Sequence, residues 1–265
     1  MRVALIGAAL EDNLSTRYLA SSLREAGHEV RLLAFGEKSE LTSVVTELSR
    51  FPADLVGMSV AFQHRYADFR ELAAALRAAV VSAPIVWGGH IPTARPGRIL
   101  QSCPEVDVVV RHDGEETIVE LAEALEAHPL SGVPEPGAAR HVEGPLLVSL
   151  SNILGLAFRL PGGRPGATDP RPATPDLDTL AKPARDGRLQ RHAGLGFAPV
   201  LGSRGCWQAC TYGSIQTYHR GRKGSRVRLR APEAVATEMA NLYHHHDARI
   251  FCFHDENFFM PKPAR

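Results

Sequence analysis

Five short apolar runs, each followed by an amphipathic stretch of helical period, restrict the fold of this sequence more than any other feature. Arg2–Gly7 (RVALIG), Glu29–Leu33 (EVRLL), Asp54–Ser59 (DLVGMS), Pro84–Gly88 (PIVWG) and Val106–Val110 (VDVVV) read as buried strands. Helical patterns fall near Ser15–Ala26, Glu40–Arg50, Tyr66–Val80, Arg95–Ser102 and Glu115–Ala127. Strands that alternate with helices require crossover connections, and so a parallel sheet covered on both faces. Five such units predict an α/β, flavodoxin-like doubly wound domain over residues 1–128. In that architecture ligands sit beyond the carboxyl ends of the strands.

The texture then changes. Residues 129–198 are rich in Pro and Gly, with strand candidates at Leu146–Leu150 and Ala157–Leu160, and read as a surface linker carrying a small hairpin. Residues 199–265 hold a strand (PVLGS), the segment RGCWQAC, a basic loop, a helix near Pro232–His245 and a strand (ARIFCF). That is two βα-type units at most, too few to close or cover a sheet. This truncated piece is expected either to pack on the first domain or to be completed by another chain.

Composition narrows the function classes. The chain is 44% hydrophobic and 22% charged, as in an ordinary globular protein, and 30 basic against 29 acidic residues leave a formal charge of +1. Bulk electrostatics therefore recruits neither nucleic acid nor an anionic membrane. No apolar run approaches the roughly 18 residues that span a bilayer. The opening MRVALIGAAL lacks the layout of a signal peptide, so a cytoplasmic protein is expected. Thiols stay reduced there, and Cys103, Cys206, Cys210 and Cys252 read as ligands or core residues.

Candidate site residues gather in the turns after the strands. Gly88 and Gly89 remove Cβ atoms where a large flat ligand would approach the backbone, and Gly7-Ala8-Ala9 opens the first turn in the same way. Ser59 ends the third strand. Asp113, Gly114, Glu115 and Thr117 end the fifth strand and cap the next helix, and Asn13 and His90 complete the set. Each could instead serve only its βα turn. His244-His245-His246 fits favourable charge at a helix C-terminus better than a metal site, because adjacent helical residues point apart. His254-Asp255-Glu256-Asn257 reads as a polar wall facing a ligand. The stretch His219–Arg230 (HRGRKGSRVRLR) is dense in Lys and Arg and reads as a solvated loop, with too few aromatic residues nearby to stack single-stranded nucleic acid.

Nearly the whole chain resembles one family. The phrases YLASSLREAGHEVRLL, ADLVGMSV, VWGGHIPTARP and VDVVVRHDGEETIVEL follow the order of the cobalamin-binding domain of B12-dependent radical-SAM enzymes. PDLDTLAKPARD is similar to that family's approach to its barrel. GSRGCWQACTYGSI, RLRAPEAVATEM and FCFHDENFF are similar to the first two barrel units. The resemblance implies cobalamin as cofactor, held by the turn residues above. Cobalamin domains of the methionine-synthase type carry a cobalt-binding His after the first strand. Here that stretch is LEDNLSTR, which implies a displaced nucleotide tail and makes Gln63 and His64, after the third strand, the candidates to approach cobalt. Where the family reads Gly-Glu, this chain has His112-Asp113.

The family's cluster loop, C-x3-C-x2-C, holds a [4Fe–4S] cluster through three thiolates. Cys206 and Cys210 are in register, but the third position is Gly213, which has no side chain to ligate. Three explanations stay open: Cys252 substitutes, a partner chain supplies the ligand, or the cluster site is degenerate. The [4Fe–4S] cluster and SAM are accordingly not expected in this chain alone. The leading expectation is a cobalamin-binding protein that performs non-radical cobalamin chemistry or holds cobalamin for another enzyme. The alternatives are a SAM- and cobalamin-dependent methyltransferase completed by a partner chain, and a cofactor-free regulatory or interaction module.

Overall fold

The structure is a computed structural model describing residues 1–8, 13–79, 81–130, 132, 137–208, 210–219 and 221–259. Ala9, the third residue of the first-turn expectation, lies outside the described residues. The first part runs β1 (Arg2–Gly7), α1 (Leu14–Glu25), β2 (Glu29–Ala34), α2 (Leu41–Arg50), β3 (Leu55–Ser59), α3 (Tyr66–Ala78), β4 (Ile85–Gly88), α4 (His90–Ala94), α5 (Pro96–Ser102), β5 (Val108–Val110) and α6 (Glu115–Ala127). These strands pair in the order β2-β1-β3-β4-β5, all parallel, with Val3 opposite both Val30 and Leu55. The order reverses direction between β1 and β3, the switch point where doubly wound sheets bind ligands.

Both sheet faces are covered, as the continuous apolar strands demand. On one side Leu48, Phe69, Leu72, Leu76 and Trp87 share a core. On the other, Leu23 of α1 and Leu121 and Leu125 of α6 pack on Leu5, Val86 and Val108. Asn13 caps α1: its side-chain oxygen accepts from the Thr16 amide at 3.3 Å, and its amide group donates to the Ala8 carbonyl at 3.1 Å.

The middle region departs from the expectation of a surface linker. Leu146–Leu150 lies not in a strand but in α7 (Gly144–Asn152), started by Pro145 and burying Leu146 and Leu150, four residues apart, against the α6 side of the core. The hairpin is made by β6 (Leu156–Arg159) and β7 (Pro165–Ala167), and it joins the main sheet. β6 runs antiparallel to β5, Val109 opposite Ala157, giving seven strands in all. The physical reason is the edge: β5 is three residues long, and without β6 its unpaired backbone would face water. Three arginines lock this addition. Arg140 and Arg77 both donate to buried Asp107, at 2.6 and 2.5 Å, and Arg159 donates to the carbonyls of Leu100, Cys103 and Val106.

The last part comprises β8 (Gln190–His192), β9 (Leu195–Val200), β10 (Ser203–Arg204), α8 (Ile215–His219), β11 (Arg228–Leu229), α9 (Pro232–His245) and β12 (Ala248–Phe253). β12 and β9 are parallel, β8 is antiparallel on β9, and β10 and β11 form a separate pair. Its own core is small, centred on Ala198, Val200, Leu242 and Ala248. Of the two expected outcomes, the segment takes the first and packs on the N-terminal domain. Within the stretch expected to be a solvated loop, Lys223 and Arg226 are exposed, but Arg222 and Arg228 each reach Asp113 at 2.7 Å and dock the segment, while Arg230 pairs with Glu238 of α9 at 2.6 Å and with Asp178 at 2.9 Å. Arg222 and Arg228 are buried because the Asp113 carboxylate waits for them across the interface, which local composition does not reveal.

Candidate functional site

A cavity of about 770 Å³ opens beyond the carboxyl ends of β1, β3, β4 and β5, and the C-terminal segment forms its far wall. Its deep part is an apolar slot between the sheet and the helices α1 and α6. Leu5, Gly57, Val86 and Val110 line one side, and Leu14, Leu19 and Ile118 line the other. Gly57 makes the slot: a Cβ there would come within 2.7 Å of the Leu5 Cδ2 atom. A glycine inside a strand weakens it and is retained where something must approach closely. DLVGMS displayed that glycine, yet a single strand glycine has too many ordinary explanations to be singled out from sequence. At the mouth, the hydroxyls of Ser15 and Ser59 lie 3.1 Å apart.

Most of the sequence-derived candidates meet here. Ala8, Asn13, Ser59, Gly88, Gly89, His90, Asp113, Gly114 and Glu115 all line the cavity. Gly89 has φ of +105°, and a Cβ on it would sit 3.0 Å from the Val60 backbone, so the turn after β4 accepts only glycine. Four candidates lie away from the lining. Gly7 is tight for packing, since its Cβ would approach Asn13 Nδ2 to 2.7 Å. Gln63 and His64 occupy an exposed single turn, and it is Phe62 and Ala61 that border the cavity. Thr117 is buried, donating to the Leu154 carbonyl at 3.2 Å and accepting from Arg171 at 2.8 Å.

The far wall brings residues that sequence reasoning did not nominate: Arg204, Tyr218 and His219, together with His254 and Glu256 of the expected polar wall. Arg204 donates to Glu115 at 2.6 Å and lies 4.9 Å above the Tyr18 ring. Burial alone would push the Asp113 carboxyl up, but the guanidinium groups of Arg204, Arg222 and Arg228 overcome this and hold it well below the usual carboxylate range. Burial likewise opposes the Glu256 charge, and the His219 ring and the Gly205 amide outweigh it and lower its pKa. His219 Nδ1 faces Arg222 at 2.7 Å. Arginine can only donate, so Nδ1 is the unprotonated nitrogen and Nε2 carries hydrogen toward Glu256 at 3.5 Å. His90 stacks on Tyr218 at 4.5 Å, and burial lowers its pKa. Its Nε2 is sealed from solvent without a partner among the described residues.

His112 lies in the left-handed region, φ +64°, at the position where the family resemblance expects glycine. Such a backbone costs a non-glycine residue about 1–3 kcal/mol. Two bonds offset it: its amide donates to Thr93 Oγ1 at 2.9 Å, and its Nδ1 lies 2.6 Å from the Tyr218 carbonyl.

Residues 8–122 match the family model of the B12 binding domain. Over those residues the chain is similar to B12-binding domains. Outside that domain the likeness continues: over 253 residues the chain is 27% identical to an uncharacterized methyltransferase, PH0819, of Pyrococcus horikoshii, covering 94% of this chain and 50% of that protein. Over 246 residues it is 28% identical to an anaerobic magnesium-protoporphyrin IX monomethyl ester cyclase of Synechocystis, covering 90% of this chain and 44% of the relative. Among solved structures, the cobalamin-dependent S-adenosylmethionine radical enzyme OxsB with aqua-cobalamin and S-adenosylmethionine bound superposes with a TM-score of 0.71 at 18% identity, covering 99% of this chain and 35% of that one. Apo OxsB gives 0.73 at 19%. The fold of this chain is thus that of the corresponding part of a cobalamin-dependent radical-SAM protein. The chain spans half or less of the length of these relatives.

The residues beyond the B12-binding domain's strands fit a corrinoid. A wide mouth and an apolar slot kept open by Gly57 suit a flat macrocycle with a long tail. The cluster loop fits its group poorly. Cys206 is half-buried, Cys210 is exposed, Gly213 offers no ligand, and Cys252 lies half-buried in β12. Among the described residues no group of three or more His, Cys, Asp or Glu is placed to hold a metal ion. No helix among them is long and apolar enough to cross a membrane.

Proposed function

We propose that this chain binds cobalamin in the cavity, with the corrin over the carboxyl ends of β1, β3 and β4 and the nucleotide tail in the Gly57 slot. The observation that carries this reading is the slot itself, an apolar channel entered from the switch point of a B12-binding domain. Residues 1–128 would hold the cofactor, 129–198 would brace the sheet and lead out of it, and 199–265 would roof the cavity. Ala8, Asn13, Ser59, Gly88, Gly89, His90, Gly114 and Glu115 are the contacts proposed from this chain. Bound cobalamin supplies a reactive cobalt centre; the protein supplies binding, orientation and exclusion of water. The Tyr218–His219 wall and the ion pairs behind it perform the last of these by covering the mouth.

Gly213 in the cluster loop favours a role without reductive SAM cleavage by this chain: non-radical cobalamin chemistry, or holding cobalamin for another enzyme. The methyltransferase and radical-enzyme names of the relatives support a second reading, a SAM- and cobalamin-dependent methyltransferase or related catalyst whose cluster and barrel are completed outside these residues. The first test is a visible spectrum after incubation with hydroxocobalamin and removal of free ligand. Retention of about one equivalent supports cobalamin binding, and a colourless protein overturns it. Anaerobic reconstitution with iron and sulfide separates the two roles: a [4Fe–4S] absorbance abolished by Cys206→Ala would favour the second.

A further inference from the structure

We propose that His112 supplies an axial nitrogen, Nε2, to the cobalt of the bound corrinoid. This rests on the cobalamin reading above, because cobalt arrives only with the cofactor. The corrin ring itself provides the equatorial nitrogens, so a single protein imidazole suffices, and no preformed cluster of ligands is required.

The geometry points to His112 by its tautomer. A backbone carbonyl only accepts, so Nδ1, 2.6 Å from the Tyr218 carbonyl, carries the hydrogen. Nε2 therefore keeps its lone pair. An imidazole that donates from one nitrogen to a carbonyl and offers the other is the arrangement in which histidine binds metals, the hydrogen bond setting both tautomer and ring orientation. Among the described residues, Nε2 of His112 has no hydrogen-bond partner, and it is not among the unpartnered ring nitrogens sealed from solvent, which are Nε2 of His28, His90 and His219. His112 lines the cavity at the end of β5.

The other nitrogens near the cavity are less suited. Arg222 fixes His219 with its hydrogen on Nε2, directed at Glu256. Nε2 of His90 is closed off behind Tyr218, and His64 is on an exposed turn outside the lining. The backbone adds an independent reason. A residue held at φ +64° where glycine would be unstrained persists when its side chain is needed.

The test is electron paramagnetic resonance of the protein loaded with cob(II)alamin, with the histidines labelled with ¹⁵N. A protein imidazole on cobalt splits each cobalt line into a doublet in labelled protein and a triplet in unlabelled protein. The cofactor's own unlabelled base gives a triplet in both. The expected result is the doublet, lost in His112→Ala and kept in His64→Ala. His112→Gly, matched to the left-handed backbone, serves if the alanine variant does not fold, and added imidazole should restore a nitrogen splitting in it. A triplet in labelled protein, no nitrogen splitting, or a doublet that survives removal of His112 overturns the assignment. Failure of the protein to retain cobalamin at all is a separate result that removes the cobalamin reading with it.

Discussion

Replacing Asp113 by asparagine should loosen the C-terminal segment from the B12-binding domain. Asp113 accepts from Arg222 and Arg228 at 2.7 Å each, and Arg204 approaches it at 3.6 Å. The side chains are 10% exposed for Asp113, 3% for Arg222 and 1% for Arg228, so water screens these pairs little. Asparagine keeps the shape but removes the charge, leaving buried guanidinium groups with Glu115 as the nearest remaining carboxylate on Arg204. Breaking a buried ion pair by removing one partner costs about 3–5 kcal/mol. At a urea sensitivity of about 1–3 kcal/mol per molar, the unfolding midpoint of the segment falls by one molar or more. Urea titration with limited proteolysis reads this directly, with cleavage between 219 and 230 appearing first. Glu116→Gln is the control: its bond to Arg171, at 2.9 Å, is half-exposed and worth under about 1 kcal/mol. A second check is a double-mutant cycle with Arg222→Met, which should recover part of the loss because an apolar side chain needs no partner. An Asp113→Asn midpoint indistinguishable from that of Glu116→Gln would refute the argument that these ions are buried and coupled.

Further outcomes follow from the same structure. Gly57→Val should fill the slot against Leu5, cost about 1–3 kcal/mol in overpacking and lower retention of cobalamin at least tenfold after desalting; unchanged retention would place the tail elsewhere. Asp107→Asn, at the opposite ends of the strands, should destabilise by about 3–5 kcal/mol in denaturant while leaving cobalamin uptake of the folded protein unaltered, since it strands Arg77 and Arg140. Gly213→Cys should raise iron and sulfide incorporation on reconstitution, read as [4Fe–4S] absorbance lost again with Cys206→Ala. Among the described residues the added Cβ would meet only Cys210, at 3.7 Å, and Gly213 is not among the glycines with positive φ.

What the sequence determined by itself was the doubly wound domain and the end of the sheet where ligands go. The five strand runs are apolar throughout and the helices carry one apolar face each, so their pattern is set by neighbours a few residues apart. The turns after β1, β3, β4 and β5 could be nominated for the same reason, and the cavity collects nine of those residues. The tertiary structure decided everything that depends on distant partners. Leu146–Leu150 is helical because α6 offers a surface at a four-residue spacing, and β6 extends the sheet because β5 left an open edge. The Arg222 side chain in the basic stretch is buried because Asp113 lies 109 residues before it in sequence, yet 2.7 Å away in space. A charge reads as solvated until its counter-charge is located, and no local pattern locates it. The same limit separated His64, conspicuous in its loop but outside the cavity, from His112, whose ring is oriented by the carbonyl of Tyr218, 106 residues further along the chain.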